Sequence, residues 1–169
     1  MTAVLATFAR LIFAAVLLGY YWTAGLTKIP DGFSNFLSPS FNAFAQIFPR
    51  AAAIVSFDVT QTTPFQTWAI LLGTWAEFAL PACIVLGLFT RIASGGMIIF
   101  IVVQSATDVV GHGATLGAFF DAVPDAPLDQ RTLWLFLLSF LTLHGGGPFA
   151  MDRYFFKSER SPYQGDRPQ

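Results

Sequence analysis

Two ionisable side chains interrupt long apolar stretches of this chain, and they are the first candidates for functional residues. Glu77 is the one charged residue within residues 65–90, and Asp108 is the one charged residue within residues 92–110. A charged group at membrane depth is costly, so such residues are functional candidates by default. At about 1.5 Å per helical residue, Glu77 and Gln104 both lie roughly 20 Å from the predicted turn between the two stretches. Gln104 is therefore the expected hydrogen-bond partner of Glu77.

A polar stripe is expected beside Glu77. Gln104, Asp108 and His112 recur at every fourth residue and therefore share one face of a helix. Lys28 ends the first apolar segment on the same side, which predicts an ion pair between Lys28 and Asp108 with His112 close by. These groups donate hydrogen bonds and exchange protons, as a quinone headgroup requires when it is reduced. The alternative interpretation is a polar clamp that only fixes the helices together.

Four apolar helices are expected to position these side chains. Hydrophobic residues make up 54% of the 169-residue chain and charged residues 11%, against roughly 25% in soluble domains. This balance and a net charge of -1 argue against a soluble enzyme and a nucleic-acid-binding protein. A spanning helix needs about 20 apolar residues, and the predicted spans are residues 8–29, 65–90, 92–110 and 132–150. The sequence predicts an all-α polytopic membrane protein, with a four-transmembrane-helix bundle in residues 1–156 and a solvated C-terminal tail in residues 157–169.

A long loop, residues 30–64, separates the first two spans and is expected on the outer side of the membrane. Its apolar residues recur at helical spacing until Pro49, which predicts a short amphipathic helix. We expect that helix to contact a partner protein or lipid through four residues: Phe41, Phe44, Ile47 and Phe48.

The fourth segment has an irregular end. Three glycines, Gly145 to Gly147, and Pro148 follow its apolar run, and both residue types terminate helices. The regular helix is therefore expected to stop near Leu143 or His144. Irregular backbone is tolerated only inside the protein or at a polar boundary, so the residues beyond should pack in the bundle or lie at the interface.

Basic residues predict the orientation of the chain. With four spans, six positive charges fall on the side of the termini and three on the other: Lys28, Arg50 and Arg131. That asymmetry predicts both termini in the cytoplasm, in the cytoplasmic membrane of a bacterium-like cell. Arg91 and Arg153, at the ends of spans, are further candidates for lipid or partner contacts. The alternative for the first segment is a signal peptide.

The sequence indicates little cofactor chemistry. Cys83 is the one cysteine, so the chain has no intramolecular disulfide and no Cys-pair redox motif. Asp108 and His112 are spaced like two metal ligands, but no third ligand is evident, and no metal site is predicted. No covalently bound cofactor is expected, and quinone is the one ligand that the polar stripe suggests.

Three stretches of the chain carry a family resemblance. The first helix reads RLIFAAVLLGYYWTAGLTKI, the second contains WAEFALPACIVLGLFTRIAS, and the last ends in LTLHGGGPFAMDRYF. An opening Arg, a mid-helix Glu before a Leu-Gly-Leu-x-Thr-Arg turn, and a Gly-rich turn before Asp-Arg resemble the DoxX family over residues 8–156. GGGPFAMD departs from the more usual GPGxxSLD, and the long first loop looks like an insertion. By position, the resemblance singles out Lys28, Glu77 and Arg91.

The resemblance implies a four-helix bundle associated with membrane oxidation chemistry. Family relatives include a subunit of a thiosulfate:quinone oxidoreductase and membrane partners of oxidative-stress enzymes. The first hypothesis is a non-catalytic accessory or assembly subunit of a membrane oxidoreductase or another larger membrane complex. The alternative is a quinone-interacting subunit with its site lined by Lys28, Glu77, Gln104, Asp108 and His112. Its electrons would come from a partner, because the chain carries no flavin, haem or cysteine motif. A small transporter is the third hypothesis, and glycine-lined helix faces permit self-association.

Overall fold

The first helix is long and carries a π-helical turn. A computed structural model describes residues 2–29, 36–114 and 130–152 of the chain, and every regular element there is helical. The first three elements form one continuous apolar helix of 26 residues: α1 (Thr2–Phe13), a π-helical turn (Ala14–Leu18) and α2 (Gly19–Thr27). The helix begins earlier than the predicted start at residue 8, and Lys28 caps its C-terminal end.

The next two long helices form an antiparallel pair: α5 (Pro64–Leu86) and α6 (Thr90–Ala106), which a π-helical turn (Thr107–Gly111) extends. A capping box starts α5, because Thr63 and Gln66 each accept the other's backbone N–H. Gly87 ends it with a φ of +72°, a left-handed conformation that glycine adopts without strain. The turn thus lies at residues 87–89, before the predicted boundary at residue 91.

The last described helix is α7 (Gln130–His144), and it ends where the sequence predicts. Gly145 and Gly147 follow with φ angles of +77° and +81°. A Cβ on Gly147 would lie 2.7 Å from the carbonyl oxygen of Ala3. The irregular turn after α7 is therefore packed against the first helix.

Three helices are long and apolar enough to cross a membrane: Thr2–Thr27, Pro64–Leu86 and Thr90–Gly111. Helix α7 packs against α1 and α6. Its 15 residues extend about 22 Å, less than the roughly 30 Å of a bilayer core. Four spans and cytoplasmic termini therefore stay predictions.

The bundle is held by a buried apolar cluster that joins the first helix to α6 and α7. Its largest members include Phe13, Leu17, Tyr21, Met97 and Leu138. Lipid tails are as apolar as these side chains, so close packing, rather than transfer from water, stabilises helix contacts in a bilayer. The outward faces are apolar and exposed, as lipid requires: Leu133, Phe136 and Ile99 are among these residues.

Residues 40–54, called the cover segment below, form two short helices: α3 (Phe41–Ile47) and α4 (Pro49–Ile54). Ser40 starts α3, because its hydroxyl accepts the backbone N–H of Ala43 and donates to the carbonyl of Lys28. Pro49 occupies the first turn of α4, where its missing N–H costs nothing. The hydroxyl of Ser40 thus ties the cover segment to the end of the first helix.

The four predicted contact residues of the cover segment differ in burial. Phe44 is buried, Ile47 and Phe48 pack half-buried beside it, and Phe41 is 55% exposed. The buried part joins Ile70 of α5. The helix therefore uses most of its apolar face within the chain, and the location of the cover segment outside the membrane stays a prediction.

A set of polar contacts, called the turn cluster below, surrounds Gly87 at the C-terminal end of α5. The Arg10 guanidinium donates to the carbonyl oxygens of Ile84, Val85 and Gly146, at 3.0, 2.5 and 2.9 Å. The Asp152 carboxylate accepts the backbone N–H groups of residues 89 and 90 and the hydroxyl of residue 90. The turn cluster therefore joins α1, α5, α6 and the glycine turn after α7.

Candidate functional site

A buried ion pair lies at the other end of the first helix. Lys28 Nζ is 2.5 Å from Glu77 Oε1, and the two side chains are 8% and 3% exposed. Gly25 allows this approach, since a Cβ there would lie 2.7 Å from the Phe78 ring. The predicted pairing of Lys28 with Asp108 is therefore wrong. Gln104 is not the hydrogen-bond partner of Glu77 either, because Lys28 takes that place.

Asp108 pairs with Arg131 instead. The distance from Asp108 Oδ2 to a guanidinium nitrogen of Arg131 is 2.7 Å, and Arg131 also donates to Ser105 Oγ at 2.7 Å. Arg131 is buried in the first turn of α7. This role does not follow from the sequence, because residue 131 precedes the predicted fourth span and is expected there only as a loop charge. Its position directly before an apolar run was the available signal.

A cavity of about 710 Å³ brings the five predicted site residues together. They are Lys28, Glu77, Gln104, Asp108 and His112, and all of them line it. Leu72, Ile99 and Val103 line the same cavity and are each more than half exposed on the helix surface. The cavity therefore opens sideways between α5 and α6, toward the lipid. Small residues on these helices, Gly73 and Gly96 among them, leave the space.

The cover segment closes one end of this cavity. Gln46, Ile47 and Phe48 line it. The Gln46 amide donates to Thr27 Oγ1 at 3.2 Å, and the Gln46 carbonyl lies 3.0 Å from Nε2 of His112. The cover segment is therefore hydrogen-bonded to the C-terminal end of the first helix, at Thr27, and to His112 after the π-helical turn that extends α6.

Close backbone approach seats the cover segment above the cavity. A Cβ on Gly111 would lie 2.8 Å from the Pro49 ring, and one on Gly73 would lie 3.4 Å from Ile47. The π-helical turn at Thr107–Gly111 ends at His112, which lines the cavity beside the cover segment. Small residues on α5 and α6 thus allow the contact that bulkier ones would prevent.

Three buried polar atoms at this end have no hydrogen-bond partner within the described part of the chain: Tyr21 Oη, Glu77 Oε2 and Gln104 Oε1. Leaving a buried polar group unpaired costs about 1–3 kcal/mol, and more for a charged group. Buried polar groups in native structures are nearly always hydrogen-bonded, so each unpaired atom calls for an explanation, and a functional role is one of them. Glu77 and Gln104 both belong to the cavity wall, so the unpaired oxygens are concentrated where a ligand would bind.

The comparison with protein families places this arrangement in a known group. The DoxX family model matches residues 5–113 of the chain. The chain belongs to the DoxX family. That match includes the five cavity residues and the Arg91 turn, whereas Arg131 and the glycine turn lie beyond it. Comparisons of this DoxX protein with curated proteins and with solved structures found no match.

The remaining predicted residues lie away from the cavity. Arg91 is exposed, donates to the carbonyl of Leu143 at 2.8 Å, and lines a second cavity of about 570 Å³ near the turn cluster. Arg153 and the tail of residues 157–169 lie outside the described residues. No group of three His, Cys, Asp or Glu side chains that could hold a metal occurs in residues 2–29, 36–114 and 130–152.

Proposed function

We propose that this DoxX protein binds a quinone-class ring compound in the cavity between α5 and α6, as a membrane subunit that works with an oxidoreductase. One observation carries the proposal. The Glu77 side chain is 3% exposed and lines the cavity, and its second carboxylate oxygen has no hydrogen-bond partner among the residues that the structure describes. The electrons in this proposal come from a partner protein.

The polar end of the cavity fits a ring with oxygen substituents. Lys28 supplies ammonium protons, and Glu77 and Gln104 supply acceptor oxygens, all at the wall of one cavity. Ligand sites combine a mostly apolar lining with a few convergent polar groups and enclose about 300–1,000 Å³. The cavity volume of about 710 Å³ falls in that range.

The sideways opening supports a lipid-soluble ligand. Leu72, Ile99 and Val103 are exposed on the apolar surface and also line the cavity. A compound with an apolar tail can therefore enter from the bilayer, place its ring at Lys28 and Glu77, and leave its tail against these side chains. A water-soluble substrate would not be expected to enter through an opening that faces the lipid.

An accessory role remains the second proposal, and the cover segment favours it. Leu37, just before the cover segment, is 75% exposed, and Ile54, the last residue of α4, is 84% exposed. Large apolar side chains are therefore exposed near both ends of the cover segment. A partner protein that covered them would hold this chain in a larger complex. Deleting residues 33–58 should then release the partner, whereas a complex that survives this deletion contradicts the accessory role.

The decisive experiment for the ligand site is equilibrium binding in lipid nanodiscs. Decylubiquinone and decylubiquinol, the latter kept reduced, are titrated separately by calorimetry into the wild type and into Glu77→Gln. We expect at least one form to bind, and the variant to lose at least about tenfold in affinity for it. Asp58→Asn is the matched control, because Asp58 lies outside the cavity and should leave binding unchanged. If neither form binds the wild type, the quinone proposal is wrong.

A further inference from the structure

The hydrogen-bonding groups at the polar end of the cavity are unequally used. One oxygen of Glu77 accepts from Lys28, and the other accepts no hydrogen bond from residues 2–29, 36–114 and 130–152. Lys28 has three ammonium protons, of which this contact uses one. The final torsion of a glutamate side chain is broad, so the carboxylate can turn its second oxygen toward the cavity. The site therefore offers one donor and one strong acceptor side by side.

A hydroxyl group satisfies both partners at once, and a carbonyl does not. The oxygen of a ring hydroxyl can accept a proton from Lys28 while its O–H donates to Glu77. A carbonyl oxygen can accept from Lys28 but leaves the carboxylate oxygen unpaired in a buried site. Sites built to bond a substrate hydroxyl reject analogues that lack it by large factors, because their polar groups are then left unpaired.

We propose that the cavity selects the reduced, hydroxyl-bearing form of the ring, the quinol, and that the unpaired oxygen of Glu77 is the group that recognises its O–H. This inference rests on the proposed function and goes further, since quinone-class binding alone does not require a preference between the two forms. Hydrogen bonds to charged groups are about twice as strong as neutral ones. The Glu77 contact should therefore dominate the preference.

Gln104 contributes less to this selection. Its Oε1, on the facing helix α6, is a second acceptor of the cavity wall that has no partner in the described part of the chain. An amide carries both a donor and an acceptor, so turning it over lets it bond either a hydroxyl or a carbonyl. Glu77 held by Lys28 has only acceptor oxygens and cannot adapt in this way.

The test compares three probes on wild-type protein in nanodiscs: decylubiquinol under reducing conditions, decylubiquinone, and the dimethyl ether of decylubiquinol. The ether keeps the ring and the tail but has no O–H and does not change its redox state. We expect the quinol to bind at least about tenfold more tightly than the quinone and the ether. These measurements need no variant, so they decide the proposal even if substitutions at Glu77 prevent folding.

Two variants then locate the preference. Glu77→Gln replaces the carboxylate by an amide that can donate to a carbonyl, so the preference for the quinol should fall to less than about threefold. Gln104→Leu leaves the Lys28–Glu77 pair intact and should keep most of the preference. A quinol preference that survives Glu77→Gln overturns the assignment to Glu77.

The outcomes separate this inference from the proposed function. If quinol and quinone bind equally, or if the ether binds as tightly as the quinol, the inference is wrong and quinone-class binding stands. If neither form binds, both are wrong. The combination of a tight quinol, a weak ether and a preference lost in Glu77→Gln supports both.

Discussion

The turn cluster and the cavity each bury charged groups between helices, but they use those groups differently. In the turn cluster, the Arg10 guanidinium bonds three backbone carbonyls, and both oxygens of Asp152 accept hydrogen bonds. At the cavity, Lys28 and Glu77 bond each other, and the second carboxylate oxygen has no partner within the described part of the chain. Each nitrogen of Arg10 and each carboxylate oxygen of Asp152 has a partner, whereas Glu77 Oε2 has none among the described residues.

This difference assigns the two regions different roles. Charged groups that satisfy free backbone groups at helix ends stabilise the fold, because those groups have no partner within the helix. A buried ion pair beside an open cavity, with an acceptor to spare, contributes little to stability and is suited to a ligand. Variants of Arg10, of the Lys28–Glu77 pair and of His112 test this division, and a variant of Asp58, outside both regions, has the smallest expected effect.

Replacing Arg10 should cause the largest loss of stability. Arg10→Leu removes the guanidinium donor of three carbonyls; Ile84 keeps the backbone N–H of Gly87, whereas Val85 and Gly146 lose the donor that Arg10 supplies, at about 1–3 kcal/mol each. We expect a loss of at least about 2 kcal/mol, measured by unfolding in detergent. Arg50→Ala is the control, because Arg50 is exposed and should change stability little. An Arg10 variant that is as stable as this control would contradict the proposed structural role of the turn cluster.

Replacing both Lys28 and Glu77 should leave stability nearly unchanged but abolish ligand binding. Buried ion pairs exchanged for apolar residues are often neutral or more stable, so the double variant Lys28→Met, Glu77→Met should unfold within about 1 kcal/mol of wild type. Its calorimetric binding of decylubiquinol should be lost. The matched double variant of Arg10→Met and Asp152→Leu should be strongly destabilised, because backbone groups lose their partners. Equal losses in both double variants would show that the two regions do not differ.

His112→Ala should loosen the cover segment with a smaller effect. The substitution removes the contact between Nε2 and the carbonyl of Gln46, and one such hydrogen bond contributes about 0.5–1.5 kcal/mol. Amide hydrogen exchange in residues 41–54 should rise, with the rest of the bundle unchanged. His144→Ala is the control, because the His144 ring lies against Phe140 of its own helix. Faster exchange in both variants would contradict a specific role for His112.

The smallest effect concerns Asp58, an exposed carboxylate outside both regions. Hydrogen bonds from Thr60 and Gln61 lower the pKa of Asp58 below its ordinary value of 3.8. A lowered pKa contributes stability that is complete above the unfolded pKa and is lost as pH falls through the folded one. The stability difference between wild type and Asp58→Asn should thus be constant above about pH 5 and shrink below about pH 4. A difference that grew as pH fell would contradict this sign.

The sequence predicts which residues line the cavity better than it predicts which of them pair with each other. Residue spacing along a helix gives depth, and depth alone places Glu77, Gln104 and Asp108 beside one another. The rotation of each helix about its own axis decides which partner is nearest. In the structure Lys28 lies against Glu77, one turn beyond the close approach of Gly25 to Phe78. Residue spacing does not contain that information, so the sequence predicts the wrong partner, Asp108, for Lys28.

The turn cluster shows a different limit of sequence reasoning. The glycine turn and the end of α7 at His144 follow from the sequence, because glycine and proline terminate helices. The role of Arg10 does not follow, since its partners are carbonyl groups from residues far away in the chain. Backbone acceptors cannot be identified from a sequence, so the sequence marks Arg10 as a charge that orients the first helix and as the opening Arg of the family resemblance, but not as a donor to these carbonyls.

The most direct test of the account is isotope-edited infrared spectroscopy of the Glu77 carboxylate. The sequence contains only one other glutamate, Glu159, so protein labelled with ¹³C-glutamate has two labelled side-chain carboxyl groups, and subtraction of the Glu77→Gln spectrum isolates one of them. The account predicts that adding decylubiquinol shifts the carboxylate stretch of Glu77, because its unpaired oxygen gains a hydrogen bond, while the dimethyl ether produces no such shift. A carboxylate band that stays unchanged when decylubiquinol is bound would contradict the central claim.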